Sequence, residues 1–203
     1  MGNGWTLQEG TSGGRSAVRV LRFDRTHLQR HMCVSAASLL QAEYPGIPQT
    51  DRCSYPRLAD ELKLAGLPME DRVELFGRMV FNAVCGNDDD HVRNHAIVYR
   101  SDERRWRLAP AFDVVPNPVE TPTRLYMQLA LGRFDISREA VLADAHRFGF
   151  AGPVDAADYL DALLGRIAAS FAMATQCLDP AWKKILHERL SQNLAVLGRR
   201  SAV

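Results

Sequence analysis

Residues 68–113 constrain the fold most, because there a helix must deliver the chain into an acidic loop and a hairpin must carry it away. From 68 to 85 the apolar positions Met69, Val73, Phe76, Val80 and Val84 recur at three- and four-residue steps, the spacing of one face of an α-helix. Pro68 suits the first helical position, where its missing N–H would have no partner, and Gly86 suits the position just past the end. The run Asn87-Asp88-Asp89-Asp90-His91-Val92-Arg93-Asn94 follows. Ala96-Ile97-Val98-Tyr99 and Trp106-Arg107-Leu108-Ala109 read as strands around a polar turn at Ser101-Asp102-Glu103-Arg104. Beyond them stands Pro110-Ala111-Phe112-Asp113.

The loop's spacing points to phosphoryl transfer. That chemistry uses a carboxylate base, an amide metal ligand five positions on, and a second carboxylate beyond a short hairpin. Asp89 to Asn94 is such a step, whereas five positions beyond Asp88 and Asp90 lie Arg93 and His95. The reaction asks the protein mainly to position reactants and neutralise charge. Magnesium prefers oxygen ligands, keeps several waters and usually takes one or two carboxylates. An Asn oxygen and an Asp carboxylate complete that shell without overloading it with negative charge. Asp89 is therefore expected as the base or hydroxyl-orienting group, with Asn94 and Asp113 as metal ligands. His91 is expected to fix the loop backbone by hydrogen bonding and Arg93 to lie near phosphate or substrate, although a structural role stays open for both. Asp88 and Asp90 are expected to form a solvated acidic turn.

Two metal motifs fit less well. His91 and His95 lie four apart, as in a zinc-binding helix, but Val92 stands where the general-base Glu belongs. Asn87, Asp89 and His91 alternate as in a calcium loop, but Val92 replaces the Gly its turn requires.

These segments resemble the HipA family of bacterial serine/threonine kinases. The likeness is carried by Phe81-Asn82-Ala83-Val84, by Gly86 through Asn94 and by Trp106 through Asp113. Arg22-Phe23-Asp24-Arg25, Cys53-Ser54-Tyr55 and Met127-Gln128-Leu129-Ala130 carry it too. It runs from about Val18 to the C-terminus. It implies a mainly α fold with a small β-hairpin, the C-terminal helical lobe of a protein-kinase-like HipA fold over 18–203, after an irregular segment at 1–17. ATP and Mg2+ are the implied cofactors, with Asp89 and His91 catalytic, Asn94 and Asp113 on the metal, and Phe23 and Arg93 toward the nucleotide. For Phe23, packing on adenine competes with a role as a core aromatic. The resemblance also implies a toxin of a toxin–antitoxin module, a protein substrate such as an aminoacyl-tRNA synthetase, and a HipB-like DNA-binding antitoxin.

Family members carry a long N-terminal portion with a phosphate-covering loop and an ATP-holding lysine. Here 21 residues precede Arg22, and the first lysine is Lys63. Gly10, Gly13 and Gly14 fit neither G-x-G-x-x-G nor the P-loop pattern. The expectation is a C-terminal lobe without the N-terminal nucleotide-binding lobe, with 1–15 a frayed or non-native start. The face that would meet such a lobe should then expose apolar side chains. Two functions compete. One is a protein serine/threonine kinase, or its catalytic lobe completed by a separate N-terminal subunit. The other is a non-catalytic remnant or regulatory subunit of a split HipA-like toxin, acting by protein binding.

Composition sets bounds that fit either. A chain of 203 residues can bury a core as one domain or one compact lobe. A net charge of +1 argues against direct nucleic-acid binding. No apolar run approaches the roughly 18 residues of a membrane span, and no signal-peptide pattern opens the chain, so cytoplasm is expected and a membrane partner is not. Cys33, Cys53, Cys85 and Cys177 lack metal-ligand spacing and read as buried free thiols in a reducing compartment. Further helices are expected over 31–42, 55–64, 137–147 and 155–176, and a last one from Pro180 to near Gly198, capped by Asp179. Pro116, Pro118 and Pro122 make 114–124 irregular. By position that stretch is an activation segment, and by composition an ordinary Pro-rich connection.

Overall fold

The computed structural model describes residues 8–12, 15–19, 22–25, 29–43 and 52–198. In chain order they form β1 (Gln8–Ser12), β2 (Arg15–Arg19), β3 (Cys33–Ser35) and α1 (Ala36–Leu39). Next come α2 (Tyr55–Leu64), α3 (Met69–Cys85), β4 (Ala96–Arg100) and β5 (Arg105–Leu108). Then follow α4 (Arg138–Ala143), a 3₁₀ turn (Ala145–Phe148), α5 (Pro153–Ala174) and α6 (Pro180–Leu197). The fold is mainly helical with small antiparallel sheets, as the sequence implies.

The helices begin and end where local chemistry dictates. Ser54 Oγ accepts from Arg57 N at the start of α2, Ser137 Oγ from Ala140 N at α4, and Asp179 from Ala181 N at α6. Each hydroxyl or carboxylate satisfies one of the amides that a helix start leaves open. α3 has no side-chain cap, but Glu70 and Asp71 stand in its first turn, where the helix dipole favours negative charge. It stops at Gly86, whose φ of 74° is left-handed, a conformation that glycine adopts without steric cost.

Three expectations are corrected. Residues 31–42 are not one helix: Cys33, Val34 and Ser35 pair with Val98, Ile97 and Ala96, and only then does Ser35 cap the short α1. Pairing with β4 overrides a locally helical pattern, so the expected hairpin is a three-stranded sheet in the order β3-β4-β5. The segment 1–17 is not wholly irregular, since β1 pairs antiparallel with β2 in the register Gln8 to Arg19 through Ser12 to Arg15. The helix expected over 137–147 divides at Asp144, whose carboxylate accepts from Leu131 N at 2.9 Å and Arg147 Nε at 3.3 Å.

The core gathers on α3. Phe76 meets the edges of Phe148 and Phe150 at 5.4 and 4.9 Å between ring centroids. Leu58 and Leu62 of α2, Leu160 of α5 and Leu197 of α6 complete the cluster, all buried. Burying each such side chain contributes about 1.5–3 kcal/mol. Polar ties fix the elements' relative positions. Asp71, buried near the start of α3, accepts from Arg107 Nε and Nη2 and from Leu108 N at 2.8–3.2 Å, which anchors β5. Asn193 Nδ2 of α6 donates to Ala83 O at 2.7 Å, near the other end of α3. Of the four cysteines, Cys53 is buried and Cys85 half-buried, but Cys33 and Cys177 are exposed, against the expectation of buried thiols throughout. Among the described residues no helix is long and apolar enough to cross a membrane.

Candidate active site

The loop from Gly86 to His95 is clamped from several elements. Gly86 is the pivot: a Cβ there would stand 3.1 Å from Pro122 Cδ and 3.2 Å from Arg189 Cδ. Asn87 donates its backbone N to Asn82 O at 2.9 Å and its Nδ2 to Asn82 Oδ1 at 3.1 Å. The backbone carbonyl of Val92, a buried residue, accepts from Ala37 N at 3.0 Å, and that of His95 from Ala36 N at 2.8 Å. The short helix α1 thus holds the far end of the loop.

Asp88 and Asp90 are not a solvated acidic turn. Asp88 Oδ2 accepts from Asn117 Nδ2 at 3.0 Å, and its carbonyl accepts from Tyr126 N at 3.2 Å. Asp90 is buried, and its Oδ2 accepts the Tyr55 hydroxyl and lies 3.0 Å from His95 Nε2. Asn82 Nδ2 donates to the Tyr55 hydroxyl at 3.0 Å, linking helix, loop and α2 in one buried network. A carboxylate without such partners would be costly to bury, so the network explains Asp90's place. Burial and the adjacent Asp90 carboxylate push the Tyr55 phenol well above its ordinary range, so it keeps its proton and donates. Sequence reasoning had Tyr55 and Asn82 only as part of the family resemblance and Asp90 as solvent-facing, so it missed the network that they form. The available signal was Asn82 itself, a polar residue on α3 beside the buried Met79, Val80 and Ala83.

Against that held background Asp89 is exposed, and among the described residues its carboxylate pairs with no side chain. Asn94 is buried and joined to it: Nδ2 donates to Asp89 O at 3.3 Å, and Asn94 N donates to His91 O at 2.8 Å. His91 is half-buried with its ring edge-on to Tyr126 at 6.2 Å, and Arg93 is exposed. Asp113 is exposed and left-handed at φ 58°, a strained conformation for a residue with a side chain. Phe112 and Val114, on either side of it, line one cavity of about 310 Å³ with Asn94, Asp90 and His95. Asp113 thus borders the wall that Asn94 shares, while no direct contact links its carboxylate to Asp89 or Asn94. Phe23 is half-buried and stacks on Phe112 at 5.8 Å, which places it on the β4–β5 sheet beside Val98 and Ala109.

Two other segments quoted above meet in space. Tyr55 N donates to Gln128 O at 3.0 Å and Gln128 N to Cys53 O at 2.9 Å. Among the described residues no group of three or more His, Cys, Asp or Glu is placed to hold a metal, and His95 is committed to Asp90.

The chain belongs to the HipA-like C-terminal domain family, whose model matches residues 6–174. A comparison with proteins of curated function finds no match. Among solved structures, HipA from the Shewanella oneidensis MR-1 toxin–antitoxin complex with HipB and operator DNA is similar over 96% of this chain, at a TM-score of 0.73 and 19% identity. The chain spans about half of that protein's length, 51%. The Helicobacter pylori proinflammatory kinase CtkA is similar over 95% of this chain and 76% of its own, at a TM-score of 0.55 and 13% identity. The fold is therefore that of HipA, and it is shared in outline by CtkA.

Proposed function

We propose that the chain is the catalytic lobe of an ATP- and magnesium-dependent protein serine/threonine kinase of the HipA toxin type. The observation that carries this reading is the bond from Asn94 Nδ2 to Asp89 O. It leaves the Asn94 amide oxygen as a lone-pair donor, and the surrounding clamps leave Asp89 as the exposed carboxylate of the loop.

The donor set fits magnesium, because Asn94 Oδ1 and the Asp113 carboxylate are hard oxygen ligands that bring a single negative charge. When bound, the metal neutralises charge on the phosphate oxygens. Asp89 accepts the hydrogen bond of the attacking hydroxyl and takes its proton as the phosphoryl group moves. Arg93 adds positive charge beside the loop, and His91 holds the backbone through its carbonyl. Phe23 supports Phe112, and through it the backbone of Asp113. By family resemblance the covering loop and lysine on the nucleotide's other side come from an N-terminal portion. The substrate class is a cytoplasmic protein, by resemblance an aminoacyl-tRNA synthetase. The HipB in the Shewanella complex suggests a HipB-like antitoxin as partner.

A second reading, regulation by protein binding without transfer, is favoured by exposed apolar side chains just after Asp113. Val115 is 56% exposed and Val119 87%, and such surface marks interaction sites. Transfer of labelled γ-phosphate separates the two. The kinase reading expects Asp89→Asn to lower transfer about 10²- to 10⁴-fold with an unchanged melting temperature. Protein capture with no transfer by the wild type, even when the N-terminal portion is supplied, would instead establish the binding subunit.

A further inference from the structure

A second cavity of about 520 Å³ lies away from the loop, between α3, α5 and α6. Its walls are almost wholly apolar: Val84 and Phe81 from α3, Ile167 and Phe171 from α5, and Leu186 and Leu190 from α6. Phe81 and the lining residue Leu178 are exposed at 44% and 42%, so the cavity opens to solvent at an apolar rim. Its size is that of small-molecule sites, about 300–1,000 Å³, which pair apolar walls with a few placed polar groups.

The polar groups here are few, and one of them is charged; the hydroxyl of Thr175, also on the wall, is spent on Phe171 O at 2.8 Å. Arg166 lines the cavity, and among the described residues it pairs with no carboxylate. Its guanidinium carbon lies 5.9 Å from the Tyr159 ring centroid. Ser170, one turn further along α5, adds a hydroxyl. The other titratable group on the wall is Cys85, whose thiol burial pushes up to about 12, so it stays neutral at physiological pH. Among the described residues no acidic side chain faces the cavity. A cation beside uncharged, apolar walls selects a ligand with an apolar body and one anionic end.

We infer that this cavity binds an amphipathic carboxylate, its apolar chain between α5 and α6 and its head group on Arg166. The inference does not depend on phosphoryl transfer, since none of Asp89, Asn94 and Asp113 lines the cavity.

Calorimetric titration of the full chain with decanoate and, separately, with decanol tests it. The expected result is one saturable decanoate site. Arg166→Gln should weaken decanoate at least about tenfold and leave decanol unchanged. Ser170→Trp, at an exposed position where substitutions usually change stability little, should abolish binding of both while the melting temperature holds. Absence of saturable decanoate binding would overturn the inference. So would equal decanoate affinity in Arg166→Gln, or undiminished binding in Ser170→Trp.

Discussion

The phenol of Tyr55, fully buried, donates its hydrogen bond to the carboxylate of Asp90, the residue next to Asp89. Two elements 35 positions apart in sequence thereby meet beneath the exposed loop. Tyr55→Phe removes the donor and strips Asn82 Nδ2 of its acceptor. The variant should lose about 1–3 kcal/mol of stability, read as a lower denaturant midpoint with an unchanged slope. An unchanged midpoint would mean that the network does not hold the loop.

Gly86 and Gly66 form a matched pair. Both are left-handed, at φ 74° and 77°, but a Cβ at Gly66 meets nothing within 4 Å. Gly66→Ala should cost only the conformational term, about 1 kcal/mol. Gly86→Ala adds contacts of 3.1 and 3.2 Å to Pro122 and Arg189 and should cost more. Arg189 Nη1 donates to Thr121 Oγ1 at 2.8 Å, so moving it should also raise hydrogen exchange across 117–121. Thermal melts of the two variants side by side make the comparison.

Asp71 binds both the side chain of Arg107 and the backbone N of Leu108. Asp71→Ala should destabilise by roughly 2–3 kcal/mol. Asp71→Asn should recover part of that loss, because one acceptor oxygen remains. Chemical denaturation of both variants measures the difference.

The half-buried Cys85 gives an alkaline signature. Burial raises it from an ordinary value of 9.0 to about 12, so the folded chain keeps a proton that the unfolded chain releases. Its contribution is complete below pH 9 and is lost as pH rises toward about 12. Stability should fall over that window, and Cys85→Ala should flatten the fall. Tyr55, shifted in the same direction, accounts for what slope remains.

Much of this was legible in the sequence because it is local. Ser54, Ser137 and Asp179 act within three residues of themselves, and the period of α3 follows from its own side chains. The family resemblance gave the HipA fold, and the Asp89 to Asn94 spacing singled out the pair that the hydrogen bond joins. What was illegible is what depends on distant partners. Cys33-Val34-Ser35 satisfies a helical pattern on its own and becomes a strand only because β4 arrives more than 60 residues later. Asp90 looked like a surface charge because Tyr55, His95 and Asn82 are brought around it by the fold rather than by adjacency. Asp113's left-handed backbone left only a weak sequence signal, since Asp is one of the few residues besides glycine enriched there yet seldom adopts it.

Calorimetric titration of the chain with ATP, with magnesium and then with a chelator in its place, probes the assigned metal site. Nucleotide binding should require the metal and disappear in Asp113→Ala, while the variant's melting temperature stays within a few degrees of the wild type. Binding that persists without magnesium, or that survives in Asp113→Ala, would contradict the assignment.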